Sequence, residues 1–330
     1  VNEVMQLFGR AGRPAYDKEG RALLIANTKE RMDELLAQYI LAEPEAIESA
    51  LGIAPVLRSH VLSFIAEGFL TTRKAMLEFM LETFYSHQFG SRQHIEDMID
   101  SIIEDLYAWE FIGKAGSAYV ATRLGKRISE LYIDPMSAKL MIDALTDDLD
   151  SIGTLFMLTN TLEMKPYVKV TDEAEEEYAL YMSRHKRFKE YDYSNTYPEG
   201  AFSTALMLNG WISEAKEQAL VKEYHTTPGA LYSKIANADW LIYSSIELAK
   251  ILHKKVNSLI DMRVRLRYGI KEELMDLVRL SQIGRARARM LYSNGIKCVS
   301  DVRNNTGTVK LILGKDIAEM VFRENGIEFH

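Results

Sequence analysis

Phe111-Ile112-Gly113-Lys114-Ala115-Gly116-Ser117-Ala118-Tyr119-Val120-Ala121-Thr122 reads as a small hairpin, a glycine turn between two short β-prone runs. What precedes it fixes its meaning. Leu57 to Gly68 is apolar at helical spacing and stops at a glycine. Thr72 to Tyr85 repeats the period with Met76, Phe79, Met80 and Phe84. Ser91 caps a longer helix running to about Trp109, with Ile95, Met98, Ile99, Ile102 and Leu106 along one side. Three helices closed by a hairpin predict a winged helix within 31–133. In such folds the third helix often reads a major groove. Here its exposed positions include Glu96, Asp97, Asp100, Glu104 and Asp105, which repel phosphate, so the domain is predicted to be a spacer.

Downstream, Asp134-Pro135 opens a predicted helical bundle over 134–268, with helical periodicity near 136–147, 150–160, 172–188, 199–207, 211–224 and 228–256. The acidic run from Asp172 to Glu177 suits a helix amino terminus, where negative charge complements the dipole. On a helix from about Gly229 to Leu252, turning roughly 100° per residue, Leu231, Ile235, Ala238, Ile242 and Ala249 share one side. Trp240 falls near the opposite direction, flanked by Ser233, Asn237, Ser244 and Glu247. A tryptophan in that position suits a core poorly. It can stack a nucleobase, a contact worth about 1–3 kcal/mol, or it can be covered by another domain.

Residues 269–330 contain an internal repeat. Ile283-Gly284 is followed by Ala288, Met290, Leu291 and Gly295-Ile296, and Leu313-Gly314 by Ala318, Met320, Val321 and Gly326-Ile327. This spacing predicts paired helix–hairpin–helix units. The hairpin glycine Gly284 exposes backbone amides beside a helix amino terminus, which bind phosphate without regard to sequence. Arg285, Arg287 and Arg289 add charge around it, although 285 and 289 share a helical face and 287 points elsewhere. The second copy has Lys315 with Asp316 and Glu319, and reads as the architectural partner.

At the amino end, Gln6-Leu7-Phe8-Gly9-Arg10-Ala11-Gly12-Arg13-Pro14 combines two glycine-preceded arginines with a glutamine. Guanidinium groups fork onto a terminal phosphate in a way a lysine point charge does not, and the glycines let backbone approach a nucleotide. After the turn Asp17-Lys18-Glu19-Gly20, the run from Arg21 to Ala26 reads as a buried strand, so residues 1–30 look like a short α/β remnant. No G-x-x-x-x-G-K-[ST] phosphate loop and no acidic magnesium box occurs in the sequence. The chain opens on valine inside a motif, and is expected to be a piece of a longer protein.

Composition narrows the rest. With 47% hydrophobic residues, the 330-residue chain has material for two or three cores. No apolar run approaches the ~18 residues of a membrane span. A lone Cys298 excludes an internal disulfide and points to a reducing, cytoplasmic setting. The seven histidines never pair with it at ligand spacing, so no metal site is expected. Net charge is −7, yet Lys250 to Arg289 holds eleven Lys/Arg against four Asp/Glu, a local +7 that marks a polyanion site.

Together these strings resemble the carboxy-terminal half of the archaeal Hjm-type superfamily-two DNA helicases, over essentially the whole chain. The resemblance rests on Gln6-x-x-Gly9-Arg10-Ala11-Gly12-Arg13-Pro14, Leu57-Arg58-x-His60-x-Leu62, Leu131-Tyr132-Ile133-Asp134-Pro135, Ala238-Asp239-Trp240-Leu241 and Ile283-Gly284-Arg285-x-Arg287-Ala288-Arg289. It implies a mostly α architecture: the tail of a second RecA-like motor domain (1–30), a winged helix (31–133), a helical ratchet bundle (134–268) and a helix–hairpin–helix domain (269–330). It also implies ATP-driven, three-prime to five-prime unwinding at stalled forks. Gln6, Arg10 and Arg13 would sense the γ-phosphate and Trp240 would stack a base. Arg287 and Arg289 would hold the emerging strand, as a brake on the motor or an aid to it. The family can carry an arginine seven positions before the tryptophan, where this chain has Ser233. Lys234 points about 100° away, so the ionic grip would be weaker or relocated.

The expectation is therefore the DNA-handling half of a monomeric ATP-dependent helicase that uses ATP and magnesium when intact. The piece itself would bind single-stranded and forked DNA, through Ser233, Lys234, Asn237, Trp240, Gly284, Arg285, Arg287 and Arg289, with no ATPase activity and no bound cofactor. Replication or recombination proteins are the expected partners. A free-standing DNA-binding module and an RNA helicase relative are the alternatives.

Overall fold

The computed structural model describes residues 1–13, 15–146, 149–185 and 197–328. Pro14 of the arginine motif, the last residue of the segment near 136–147 and the end of the segment 172–188 lie outside the described residues. The rest is mostly helical, with one two-stranded antiparallel sheet among the described residues. No helix among them is long and apolar enough to cross a membrane.

Helix α1 (Asn2–Phe8) and helix α2 (Lys29–Leu35), which runs on as a π-helical turn over Leu36–Ile40, lie at the amino end. The strand expected at Arg21–Ala26 is absent: the segment is irregular, with Leu23 and Ile25 exposed. A strand needs a neighbour for its backbone donors and acceptors, and no described segment pairs with this one.

The winged helix is built from α3 (Ala54–Ala66), α4 (Arg73–Leu81), α5 (Phe84–Phe89) and α6 (Arg92–Ala108), then β1 (Ile112–Ala115), β2 (Ala118–Ala121) and α7 (Arg123–Leu131). Register pairs Ile112 with Ala121 and Gly113 with Val120. The periodicity from Thr72 to Tyr85 resolves into two helices because each start has its own cap. The Thr72 hydroxyl accepts from the Ala75 N–H, and the Thr83 hydroxyl from the Ser86 N–H.

Among the described residues there follow α8 (Pro135–Ala144), α9 (Ser151–Thr159), α10 (Asp172–Arg184), α11 (Pro198–Ile212), α12 (Glu217–Glu223), α13 (Pro228–Ile251) and α14 (Asn257–Tyr268). Helix α13 packs against α7, α8, α9 and α14 and runs through the centre. It stops at Ile251, five residues short of the predicted end, where His253 takes a left-handed φ of 56°. Just beyond, the Lys254 ammonium donates to the Ile142 and Leu145 carbonyls at the end of α8.

One buried apolar cluster runs unbroken from Leu57 to Leu266, so winged helix and bundle share a core. A second begins at Ile270 and ends at Ile327. Between them sits Gly269, at φ 64° beneath Trp211, where an added Cβ would lie 2.5 Å from the indole. Only glycine satisfies both the left-handed backbone and the close approach. The second core belongs to α15 (Arg285–Ser293), α16 (Val299–Asn304), α17 (Thr306–Leu313) and α18 (Lys315–Glu324). The repeat is visible here: Gly284 and Gly314 cap the starts of α15 and α18, and Gly295 and Gly326 follow their ends at positive φ. The copies differ in that a 3-10 turn, Leu277–Arg279, precedes the first hairpin and α17 the second.

Candidate nucleic-acid interface

Gln6, on α1, and Arg10 and Arg13, in the turn after it, are all exposed. The turn is held by its own chain. Arg13 N–H and Nε donate to Asp17 Oδ2 at 2.8 and 3.3 Å, and the guanidinium lies 5.2 Å from the Tyr16 ring centroid. Gly20 packs so closely on the Ala11 carbonyl that a side chain there would collide with it. The result presents two guanidinium groups outward from a folded-back loop.

On α13 the apolar side is as predicted: Leu231, Ile235, Ala238, Ile242 and Ala249 are buried. Burial extends further than the periodicity implied, and includes Ser244 and Lys234. What remains accessible is one stripe through Ser233, Ala236, Trp240, Tyr243 and Glu247, broadened by Tyr232 and Lys250. Trp240 lies on this stripe but is not free-standing. Its ring is half-buried against the shared core and its indole N–H donates to the Leu131 carbonyl at 3.1 Å. Leu131 is the last residue of α7, and the next, Tyr132, is exposed at a left-handed φ of 57°.

Two neighbours of Trp240 serve the fold. Asn237 Nδ2 donates to the Glu163 carbonyl at 2.9 Å. Lys234, expected at the DNA face, is only 6% exposed and its ammonium donates to the Met164 carbonyl at 2.6 Å. Burial pushes its pKa down, as desolvation does to any cation. It is corrected from a DNA contact to an anchor for the 162–164 turn. Ser233 is exposed.

That turn leads back to the winged helix. Glu163 Oε1 accepts from the Asp134 N–H at 2.7 Å, and Asp134 is paired with Arg58 through two bonds of 3.0 and 2.8 Å. Both Arg58 and Asp134 are buried. Burial pushes the Glu163 carboxyl above its ordinary pKa, and the Asp134 charge adds to the rise. Two motif strings with no assigned chemistry, Leu57-Arg58 and Asp134-Pro135, therefore meet as a buried ion pair. No spacing rule links positions 76 residues apart.

The arginines of α15 divide by direction. Arg285 lies 5.0 Å over the Trp211 ring and donates to the Ala215 carbonyl at 2.7 Å. Arg289 grips Glu214 with two bonds of 2.7 and 2.6 Å and reaches Glu273 at 2.8 Å. Both join the terminal domain to the end of α11, so in this structure their guanidinium groups are engaged by the bundle. The bundle offers a carboxylate and a carbonyl at the spacing these two same-face residues require. Burial by itself raises the Glu214 carboxyl, but the Arg289 bonds and the Lys271 N–H outweigh it and hold it below its usual range. Arg287 points away from the bundle and donates to its own Gln282 carbonyl at 2.6 Å. An open groove of about 710 Å³ remains beside this junction, lined by Trp211, Lys216, Tyr232, Arg285 and Arg289.

Against this geometry, the family model for archaeal helicase, domain 4, matches residues 152–269, the stretch from α9 through α14. Over its full length the chain is 37% identical to the ATP-dependent DNA helicase Hel308 of Methanocaldococcus jannaschii, of which it covers 27%. It is 36% identical over 99% of its length to the Pyrococcus abyssi protein of the same name, covering 47% of that protein. It is 34% identical over its full length to that of Thermococcus kodakarensis, covering 30%. The chain thus spans about a quarter to a half of these relatives. Its similarity to these archaeal DNA helicases runs over essentially its whole length, and its central helices match the archaeal helicase, domain 4, family model.

Proposed function

We propose that the chain is the DNA-handling half of an ATP-dependent, three-prime to five-prime DNA helicase acting on forked or branched DNA. The observation that carries this reading is the accessible stripe of α13, with Trp240 at its middle. It runs along a helix whose other sides are locked into the winged helix and bundle. A strand passing along the stripe meets Trp240 and then Ser233, and leaves toward the terminal domain of Arg287, which packs beside Tyr232 at that end of α13. Gln6, Arg10 and Arg13 sense ATP with its magnesium in the intact protein, as outward guanidinium groups on a fixed turn suit. The names of the relatives, each an ATP-dependent DNA helicase, support the same reading.

Fluorescence anisotropy of the 330-residue chain with a labelled single strand, a three-prime-tailed fork and blunt duplex tests it. The expected result is salt-dependent binding to the first two, weak binding to the duplex, and no ATP turnover. Equal affinity for duplex, or no binding at all, would remove the proposed role.

A further inference from the structure

The cleft between α13 and α14 has the chemistry of a binding site to which no role attaches above. It encloses about 310 Å³, with walls that include Tyr243, Ile246, Val264 and Tyr268 and a mouth that carries Lys250, Arg263 and Arg267. Tyr243 follows Trp240 by three residues on the same accessible stripe, about 4.5 Å further along the helix axis. Flat apolar walls and a cationic mouth complement an aromatic base joined to an anionic backbone. We propose that this cleft is a second subsite for single-stranded DNA, taking one nucleobase between Tyr243 and Tyr268 and the flanking phosphates on Lys250 and Arg267. The inference rests on the single-strand binding proposed above and adds where the strand lies on the side of Trp240 away from the terminal domain.

The cations differ in readiness. Arg263 is fixed: it lies 4.8 Å over the Tyr243 ring and is held by Asp239 through bonds of 2.9 and 3.2 Å. Arg267 reaches Asp239 by a single contact of 3.4 Å, with 58% of its side chain exposed. Lys250 is similarly open and meets Glu247 at 2.8 Å. Exposed pairs of this kind are worth about 0–1 kcal/mol, so a phosphate can replace either carboxylate. Glu247 at the mouth does not bar a polyanion, since Arg127 also holds it at 2.9 Å. The cleft thereby supplies, from Arg267 of α14 and Lys250 at the end of α13, the ionic grip that Ser233 does not provide.

Photocrosslinking tests the assignment. The whole 330-residue chain is irradiated with oligothymidylates carrying 5-iodouracil at one position at a time, and crosslinked peptides are mapped. The expected adducts fall on Tyr243 or Tyr268 in addition to Trp240. The double variant Lys250→Gln/Arg267→Gln should flatten the slope of log affinity against log salt by about 1.4, at roughly 0.7 per lost phosphate contact. Tyr243→Ala should weaken binding at least about fivefold, while Tyr243→Phe, which keeps the ring, retains affinity. An equal loss in the Phe variant would overturn the stacking assignment in favour of a packing defect. Adducts at Trp240 alone, with an unchanged salt slope, would overturn the cleft and leave the wider reading standing. A chain that binds and crosslinks no single strand would overturn both.

Discussion

The indole N–H of Trp240 donates to the Leu131 carbonyl across 109 residues of sequence, and so fastens the aromatic side chain on the α13 stripe to the last turn of the winged helix. The winged helix therefore does more than space the domains apart. Its acidic helix α6 engages its own neighbours, with Arg73 of α4 paired to Asp100 and Glu96, while its α7 end sets the position of the ring.

Replacing Trp240 by alanine removes both the ring and this tether. In the intact protein, Trp240→Ala should lower strand unwinding more than DNA-stimulated ATP hydrolysis, by the ~1–3 kcal/mol of a lost base stack. Trp240→Phe should fall between. Parallel unwinding and ATPase assays check this, and equal losses in both would argue against the assigned role.

Arg13→Ala should abolish DNA-stimulated ATP hydrolysis in the intact protein while DNA affinity stays nearly unchanged. The side chain stands apart from every proposed DNA contact and, among the described residues, pairs with Asp17 and lies against Tyr16. Steady-state turnover and a binding titration together separate the two effects.

Arg58→Ala leaves Asp134 charged, buried and short of its partner. The expected destabilisation is about 3–5 kcal/mol, read by urea denaturation of the first core. A loss under 1 kcal/mol would mean that water reaches the pair.

Glu163 gives a pH signature of known sign. Its folded pKa is raised, so the stability it contributes is complete below the ordinary carboxyl value of about 4.3 and is lost as pH rises through the folded value. Glu163→Gln cannot ionise there, and should raise thermal stability near neutrality relative to the parent with little gain at low pH. Melting curves from pH 4 to 8 test this; a constant difference across that range would refute it.

Glu214 and Glu273 carry the opposite sign. Arg289 bonds pull Glu273 down, and in Glu214 they help to overcome the upward push of burial. Their contribution is present above the ordinary carboxyl pKa and disappears as pH falls through the lowered folded values. Acidification, or Glu214→Ala at neutral pH, should loosen the terminal domain, seen as faster proteolysis after Gly269 while the first core remains resistant.

What was legible in the sequence was local. Ser91 and Gly284 mark helix starts through the backbone beside them, and the hairpin at 112–121 declares itself by its own turn. The direction of Trp240 on its helix followed from angular spacing alone. Its cover did not, because Leu131 lends a backbone carbonyl that no side-chain pattern records. Lys234 misled for the same reason: a lysine looks solvent-bound until a distant carbonyl accepts its ammonium. Arg285 and Arg289 read as ligands for phosphate, but chemistry that forks onto phosphate also forks onto the Glu214 carboxylate.

Because one core runs without interruption from Leu57 to Leu266, a turn of the winged helix carries α13 with it as a single lever. The junction lies beyond, at Gly269, where the chain passes beneath Trp211 between two separately packed interiors. The Arg289–Glu214 pair spans that joint and ties the second interior to the first.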